Sequence, residues 1–265
     1  MAGLHASTHT EIKGMMRNIP NAYTGQVQNV IVREKDHKFW TEILAELAGT
    51  ANYRKRVAAV GTPGIGKSTT LAYAIRNLLL QGRRVAYLLR SVDRDNWYIE
   101  YTPSSEGRQV EVDVYPEATA PGHIPSLQDP NTYYVVDPGK SKLSCNPTPV
   151  VLAYTIIVAS PDERHWGGSG FMKDSFEGPG GDIRYFPSWT LHELQAASKE
   201  RLEGVQQPDV AELYSIFEGI PRQVFFPTQK ESNVAELRRK VDEMKETDFA
   251  RACFGAAQPS FQLWD

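Results

Sequence analysis

The fold of this chain is decided by the stretch at residues 61–68, which reads Gly61-Thr62-Pro63-Gly64-Ile65-Gly66-Lys67-Ser68. The stretch matches the pattern G-x-x-x-x-G-K-[ST], whose glycines let successive backbone N–H groups turn inward towards a phosphate. In such a loop the lysine, here Lys67, reaches the β- and γ-phosphates of a nucleotide, and the hydroxyl of Ser68 ligates Mg²⁺. The pattern therefore predicts that residues 61–68 bind a nucleoside triphosphate.

Both flanks of this loop support that prediction. Residues 56–60 form a short apolar segment typical of a buried strand, and residues 69–80 have a strong helical pattern that Gly82 ends. Strand, glycine-rich loop and helix is the order that the motif requires. A helix that begins here directs its positive end at the bound anion, so Thr69 in its first turn joins the predicted binding residues.

Composition and charge limit the other classes of function. The chain has 265 residues with 41% hydrophobic and 23% charged residues, which is typical of a soluble globular protein. A net charge of −3 gives no general case for nucleic acid, although local basic clusters leave such contact open. The two cysteines lie far apart and indicate neither a disulfide scaffold nor a zinc cluster. The longest apolar run, residues 150–159, is about half of a membrane span, and no secretory signal is evident, so we predict an intracellular chain without a membrane segment.

The pattern of the whole chain predicts an α/β fold, in which a mainly parallel sheet is flanked by helices. Further buried strands are expected at residues 84–90, 132–138 and 151–161, beside the strand that precedes the loop. Period-2 alternation on both sides of a turn signal predicts an inserted β-hairpin at about residues 97–116.

This pattern divides the chain into three regions. Residues 1–50 are predicted to form an irregular arm, up to about residue 30, and then a helix that Gly49 ends. Residues 51–187 form the predicted nucleotide-binding core. Residues 188–265 are predicted to form a helical subdomain that follows the sheet.

Capping residues mark the expected starts of these helices. Asp36 is the predicted cap of the N-terminal helix. In the C-terminal region, Thr190 and Glu193 form a predicted capping box, and further helices are expected to begin at Asp209 and at about Ser232.

Two strand ends supply partners for the loop. Asp137 ends the strand at 132–138, where P-loop proteins hold the acid that supports the Mg²⁺ shell, and Asp93 is a weaker competitor for that role. We therefore predict that Ser68 and Asp137 hold Mg²⁺. Ser160 ends the strand at 151–161, where a small polar group can contact the γ-phosphate or the attacking water.

The order of these elements resembles the AAA+ and STAND branch of P-loop ATPases. In that resemblance Ser160 takes the place of the first sensor, and residues 219–221, Gly-Ile-Pro, look like the G-x-P element of STAND ATPases. Arg222 then corresponds to a second-sensor arginine over the γ-phosphate. The resemblance makes Lys67, Asp137, Ser160 and Arg222 the candidate catalytic residues.

A closer resemblance is to the ATPase domain of Crinkler effectors and of the related retrotransposon-hot-spot proteins. It is carried by four stretches: residues 61–68, 134–138, 187–194 and 217–222. The resemblance implies ATP and Mg²⁺ as ligands. It also implies a secreted effector that acts inside a host cell, often in the nucleus, where a host protein is a possible partner.

One departure from this pattern concerns hydrolysis. AAA+ ATPases usually place a glutamate directly after the Mg²⁺ aspartate, whereas Pro138 follows Asp137 here. A proline cannot polarise water, so hydrolysis is expected to be slow or to use another acid. Glu193, Asp174 and Asp113 are candidates for that acid, and the sequence does not rank them.

Several hypotheses therefore stay open. The first is an ATPase; an arginine finger, for which Arg164 and Arg184 are candidates, would require a homo-oligomer. The second is a nucleotide-dependent switch or host-partner-binding effector with little or no turnover. A kinase ranks lower because it would normally have an arginine-rich lid, and the glycine-rich stretch at 162–182 holds only Arg164. Nuclease activity is not expected. The preferred base of the nucleotide and the oligomeric state stay undetermined.

Overall fold

The structure is a computed structural model, and it covers the 61–68 loop together with most of the elements around it. The described residues are 4–5, 12–20, 27–49, 56–89, 97–104, 109–116, 123–137, 151–161, 181–199, 210–225, 235 and 239. The chain divides into two compact units, Met1–Phe225 and Phe226–Asp265. The helical subdomain predicted at 188–265 thus spans the boundary between the two units.

The N-terminal region contains a three-stranded antiparallel sheet of β1 (Leu4–His5), β2 (Ile12–Pro20) and β3 (Val27–Arg33). The prediction of an irregular arm up to residue 30 is therefore wrong. The strands were missed because the pairing of β2 with β3 shifts register twice, and these shifts break the strict alternation that identifies a strand in sequence. The strands still bury apolar side chains, including Met16 and Val30.

Helix α1 (Glu34–Ala48) follows β3 directly and ends at Gly49, as predicted. Its start was predicted wrongly, because Asp36 lies inside the first turn and Arg33 is the N-cap residue. The Asp36 carboxylate nevertheless closes the helix start, since it accepts a hydrogen bond of 3.0 Å from the backbone N–H of Arg33. The indole N–H of Trp40 ties α1 to the next helix through a 3.1 Å bond to the hydroxyl of Thr70.

A mixed seven-stranded sheet forms the centre of the first unit. Its strands along the chain are β4 (Arg56–Val60), β5 (Val85–Leu89), β6 (Trp97–Pro103), β7 (Val110–Pro116), β8 (Tyr133–Asp137), β9 (Tyr154–Ala159) and β10 (Asp182–Tyr185). In space their order is β10-β4-β9-β8-β5-β6-β7. All pairings from β10 to β5 are parallel, and the pairings of β6 with β5 and with β7 are antiparallel.

The predicted strands and the hairpin at 97–116 are confirmed by this sheet. Strand β10 was not predicted, because it has only four residues, two of them more exposed than the rest, and follows a glycine-rich stretch. It pairs in parallel with β4, from Asp182 opposite Val57 to Tyr185 opposite Val60. The strand next to the loop therefore has neighbours on both sides, β10 and β9.

The helices of the first unit flank this sheet. After α1 they are α2 (Lys67–Leu80), α3 (Leu191–Lys199), α4 (Val210–Phe217) and α5 (Pro221–Phe225). The predicted capping box at the start of α3 is confirmed: Thr190 N–H donates to the Glu193 carboxylate at 2.8 Å, and Glu193 N–H donates to the Thr190 hydroxyl at 3.2 Å. Asp209 and Ser232, the other predicted helix starts, lie outside the described residues.

The core of the sheet is built mainly of apolar side chains from β4, β8 and β9. Val57 to Val60 in β4, and Ile156 to Ala159 in β9, are at most 2% exposed. Strand β8 is buried along its whole length, which includes Asp137. Among the described residues, no helix is both long and apolar enough to cross a membrane.

Candidate functional site

The candidate site lies at the sheet edge where β4, β9 and β8 end. These three strands are neighbours and parallel, so their carboxyl ends lie side by side. The 61–68 loop leaves β4 at this edge and leads into α2. A hydrogen bond of 3.2 Å from Gly61 N–H to the carbonyl oxygen of Ala159 ties the start of the loop to the end of β9. Open α/β sheets bind ligands at this edge.

The loop needs its glycines for two different reasons. Gly64 and Gly66 have φ angles of 86° and 106°, a left-handed conformation that glycine adopts without steric cost. Gly61 is limited by space, because a Cβ there would lie 3.0 Å from the Cβ of Phe186. Inside the loop, Ile65 N–H closes a turn with the carbonyl oxygen of Thr62 at 3.2 Å. The first turn of α2 then begins with Thr70 N–H bonded to the Gly66 carbonyl at 2.9 Å.

Lys67 is the first residue of α2 and is only 8% exposed. Its ammonium donates hydrogen bonds to the carbonyl oxygens of Gly61 and Thr62, the second at 3.1 Å. Burial lowers the pKa of Lys67 to about 8, while the charge of Asp137 acts to raise it and that of Arg222 to lower it further. Lys67, Asp137 and Arg222 are therefore close enough to interact electrostatically.

Asp137 and Ser68 fit the role of Mg²⁺ ligands by their chemistry. Asp137 is the last residue of β8 and is 2% exposed, so it is buried at the sheet edge where the loop begins. Ser68 is the second residue of α2 and is exposed beside the loop. A carboxylate and a hydroxyl supply the hard oxygen donors that Mg²⁺ prefers, and Mg²⁺ commonly takes its remaining ligands from phosphates and water.

Ser160 directly follows β9, which lies between β4 and β8 in the sheet. Its position is therefore between the strand that carries the loop and the strand that carries Asp137. The residue is half-buried. This arrangement brings the predicted sensor serine to the same edge as the loop.

Arg222 reaches the site from the C-terminal helices. It lies in α5 and is exposed, but its backbone N–H donates a 3.3 Å hydrogen bond to the carbonyl oxygen of Gly64. The approach is close, because a Cβ on Gly64 would lie 2.9 Å from the Cβ of Arg222. The structure thus brings the backbone of Arg222 to the loop, and the charge of Arg222 contributes to the lowered pKa of Lys67.

The loop also contacts Trp189, a residue that the sequence reasoning missed. The indole N–H of Trp189 donates a 3.0 Å hydrogen bond to the carbonyl oxygen of Ile65. The backbone N–H of Trp189 in turn donates to the carbonyl oxygen of Gly219 at 3.3 Å. In the sequence, the stretches at residues 187–194 and 217–222 are connected with the loop only through the family resemblance. Nothing in their spacing indicates that they meet at residues 64 and 65.

Arg33 is the second residue that the sequence reasoning missed. It is completely buried, and its guanidinium lies 4.4 Å from the centre of the Trp189 ring. It donates to the Asp36 carboxylate at 2.6 Å, to the carbonyl of Pro187 at 2.9 Å and to that of Ser188 at 3.0 Å. The available signal was an arginine directly after the apolar residues 30–32, with an aspartate three residues later. Arginine is rarely fully buried, so this signal alone does not predict the buried position.

The candidate acids for water activation have different surroundings. Glu193 is bonded to Thr190 and pairs with Arg33 at 3.3 Å and Lys35 at 3.4 Å, so its carboxylate is already engaged. Asp113 lies on β7, at the far edge of the sheet from β4. Asp174 lies outside the described residues, as does Asp93.

The two candidate arginine fingers also differ. Arg184 lies on β10 and forms ion pairs with Glu46 and, at 3.2 Å, with Asp182. Arg164 lies outside the described part of the chain. In the described part of the chain, the ion pairs of Arg184 therefore tie it to α1 and to its own strand.

Comparisons with protein-family models and with curated proteins gave no match to this chain.

Proposed function

We propose that this chain binds ATP with Mg²⁺ at the 61–68 loop. The observation that supports the proposal most strongly is the position of Lys67 between the glycine-rich loop, the start of α2 and Asp137. A glycine loop with two left-handed residues leads from a buried parallel strand into a 14-residue helix whose first residue, Lys67, interacts electrostatically with a buried aspartate. A lysine held there supplies a positive charge beside the helix N-terminus, where phosphate groups bind favourably.

The residues of the site divide the work of holding the triphosphate. Apart from those of Gly61, Ile65 and Thr70, which are bonded to carbonyl groups of the protein, backbone N–H groups of the loop and of the first turn of α2 would bind the phosphates. Lys67 would neutralise charge on the β- and γ-phosphates. Ser68 and Asp137 would hold Mg²⁺, which neutralises charge on the phosphate oxygens when it is bound. Arg222 adds a second positive charge on the side of the C-terminal helices.

We further propose that the bound ATP is hydrolysed slowly. Lys67 and Arg222 can stabilise charge on the transferring phosphoryl group. The sequence has a proline at position 138, and the Glu193 carboxylate is engaged by Arg33 and Lys35. Neither residue supplies a ready general base, so we expect a low turnover number. The same observation favours the second candidate function, a nucleotide-dependent switch with little or no turnover.

A phosphate-release assay separates the two candidates. We expect purified protein to release phosphate from ATP in the presence of Mg²⁺, and Lys67→Ala and chelation of Mg²⁺ to abolish the release. Lys38→Ala is the matched control, because Lys38 is exposed on α1 and pairs with Glu42 on the same helix. Binding of ATP without phosphate release above the Lys67→Ala background would reject the ATPase and leave the switch.

A further inference from the structure

We propose that Trp189 is a positioning residue for the phosphate-binding loop, and that it acts through the peptide group between Ile65 and Gly66. The proposal rests on the proposed function. Trp189 holds the Ile65 carbonyl on the outer side of the loop, so that the Gly66 N–H stays directed to the opposite, phosphate-facing side.

The geometry of the peptide bond carries this step. In a trans peptide group the C=O and N–H bonds point in opposite directions within one plane. The indole N–H of Trp189 lies 3.0 Å from the Ile65 carbonyl oxygen, and a Cβ on Gly66 would be 4.0 Å from the same nitrogen. A fixed Ile65 carbonyl therefore fixes the direction of the Gly66 N–H.

The loop needs such an external hold. Gly64 and Gly66 have little intrinsic preference for the left-handed conformation over others, so the free loop would lose much backbone entropy on ordering. Two donors outside the loop bind two successive carbonyl groups in it: Arg222 N–H binds Gly64, and Trp189 binds Ile65. Pre-ordering the loop in this way lowers the cost of binding a phosphate.

Trp189 is itself held in place by two residues, Arg33 and Gly219. Arg33 lies over its ring at 4.4 Å and bonds the carbonyl groups of Pro187 and Ser188, the two residues that precede it. Gly219 accepts a bond from its backbone N–H and leaves no space between the two segments, because a Cβ on Gly219 would lie 2.2 Å from the Trp189 carbonyl oxygen. The indole therefore reaches Ile65 from a fixed position.

The test compares two buried tryptophans in the full chain. Trp189→Phe removes the indole donor to the loop, and Trp40→Phe removes an equivalent buried donor to the Thr70 side chain. We expect Trp189→Phe to raise the Kd for Mg·ATP and for inorganic triphosphate by the same factor, roughly tenfold, because the lost bond acts on the phosphates and not on the base. Trp40→Phe also loses one buried hydrogen bond, so we expect it to lower the free energy of unfolding by about as much as Trp189→Phe does. Both of its Kd values are expected to stay within about twofold of wild type.

Each outcome bears on one proposal or on both. A Trp189→Phe variant that is folded and binds both ligands with wild-type Kd overturns the positioning role alone, and so does an equal loss of affinity in Trp40→Phe. Wild-type protein that binds neither ligand overturns the proposed function as well. If Trp189→Phe does not fold, the indole ¹H–¹⁵N resonance of Trp189 in the wild-type protein decides. We expect it to shift on saturation with Mg·ATP, and an unchanged resonance contradicts the role.

Discussion

The lowered pKa of Lys67 makes the binding of a triphosphate depend on pH. Burial lowers the pKa of its ammonium to about 8 in the free protein, and a bound triphosphate would raise that pKa again because it favours the charged form. Above pH 8, binding must therefore take up a proton. We expect the Kd for Mg·ATP to rise by up to roughly tenfold per pH unit above this value and to be independent of Lys67 protonation below it.

The measurement is a series of calorimetric titrations between pH 7 and pH 9.5. Lys67→Arg is the control, because a guanidinium stays charged over this range. Its Kd, whatever its value at pH 7, is expected to change little with pH. An equal pH dependence in wild type and Lys67→Arg would show that another group is responsible.

Gly219 has a steric role that can be separated from backbone strain. A Cβ at this position would lie 2.2 Å from the Trp189 carbonyl oxygen, so Gly219→Ala must push two backbone segments apart. We expect it to lower the free energy of unfolding by about 3 kcal/mol. Gly82→Ala is the control, since Gly82 has a left-handed φ of 71° but open space around it, and should cost only about 1 kcal/mol. Urea unfolding measures both, and equal losses would contradict the steric role.

At the scale of elements, the junction of β3 and α1 depends on the buried pair of Arg33 and Asp36. Asp36→Asn keeps the shape of the side chain but leaves the Arg33 guanidinium without its closest negative charge. Because a buried charge that loses its partner is costly, we expect a loss of about 3 kcal/mol in unfolding free energy. Glu42→Gln, in an exposed pair on the same helix, should change it by less than about 0.5 kcal/mol. Similar losses in chemical denaturation would contradict this account of the junction.

Most elements around the loop could be predicted because their signals are local. Strands β4, β8 and β9 are short apolar runs between turn residues, and the helix after Lys67 has a clear apolar pattern. The N-terminal sheet could not be predicted in this way, because its register shifts hide the alternation. Strand β10 depends on pairing with β4, and such pairing leaves no signal in a four-residue sequence.

The same distinction holds for the site. The motif identifies Lys67 and Ser68 by their spacing, and Asp137 by its place at the end of an apolar strand. The contacts of Trp189 with Ile65, and of Arg33 with Trp189, join residues that are more than 100 positions apart. Only the folded chain brings them together. A buried arginine is recognisable in sequence only when its partners are known.

At the scale of the whole molecule, ligand binding and folding are linked. A ligand that binds only the folded protein raises the free energy of unfolding, by about 2.7 kcal/mol at a concentration of 100 times Kd. We expect Mg·ATP to stabilise the protein by this amount in chemical denaturation. Lys67→Ala should remove the stabilisation, whereas Lys38→Ala, at an exposed position, should retain it. Equal stabilisation of both variants would mean that ATP binds elsewhere.

The central claim is that the 61–68 loop holds the phosphates of ATP with Lys67. Its most direct test is an isothermal titration of wild type, Lys67→Ala and the Lys38→Ala control with Mg·ATP. The account predicts saturable binding by wild type and by the control, and a Kd at least about 100-fold higher for Lys67→Ala because a buried charge-assisted bond is lost. Undiminished binding by a folded Lys67→Ala variant, or no binding by wild type, would contradict the claim.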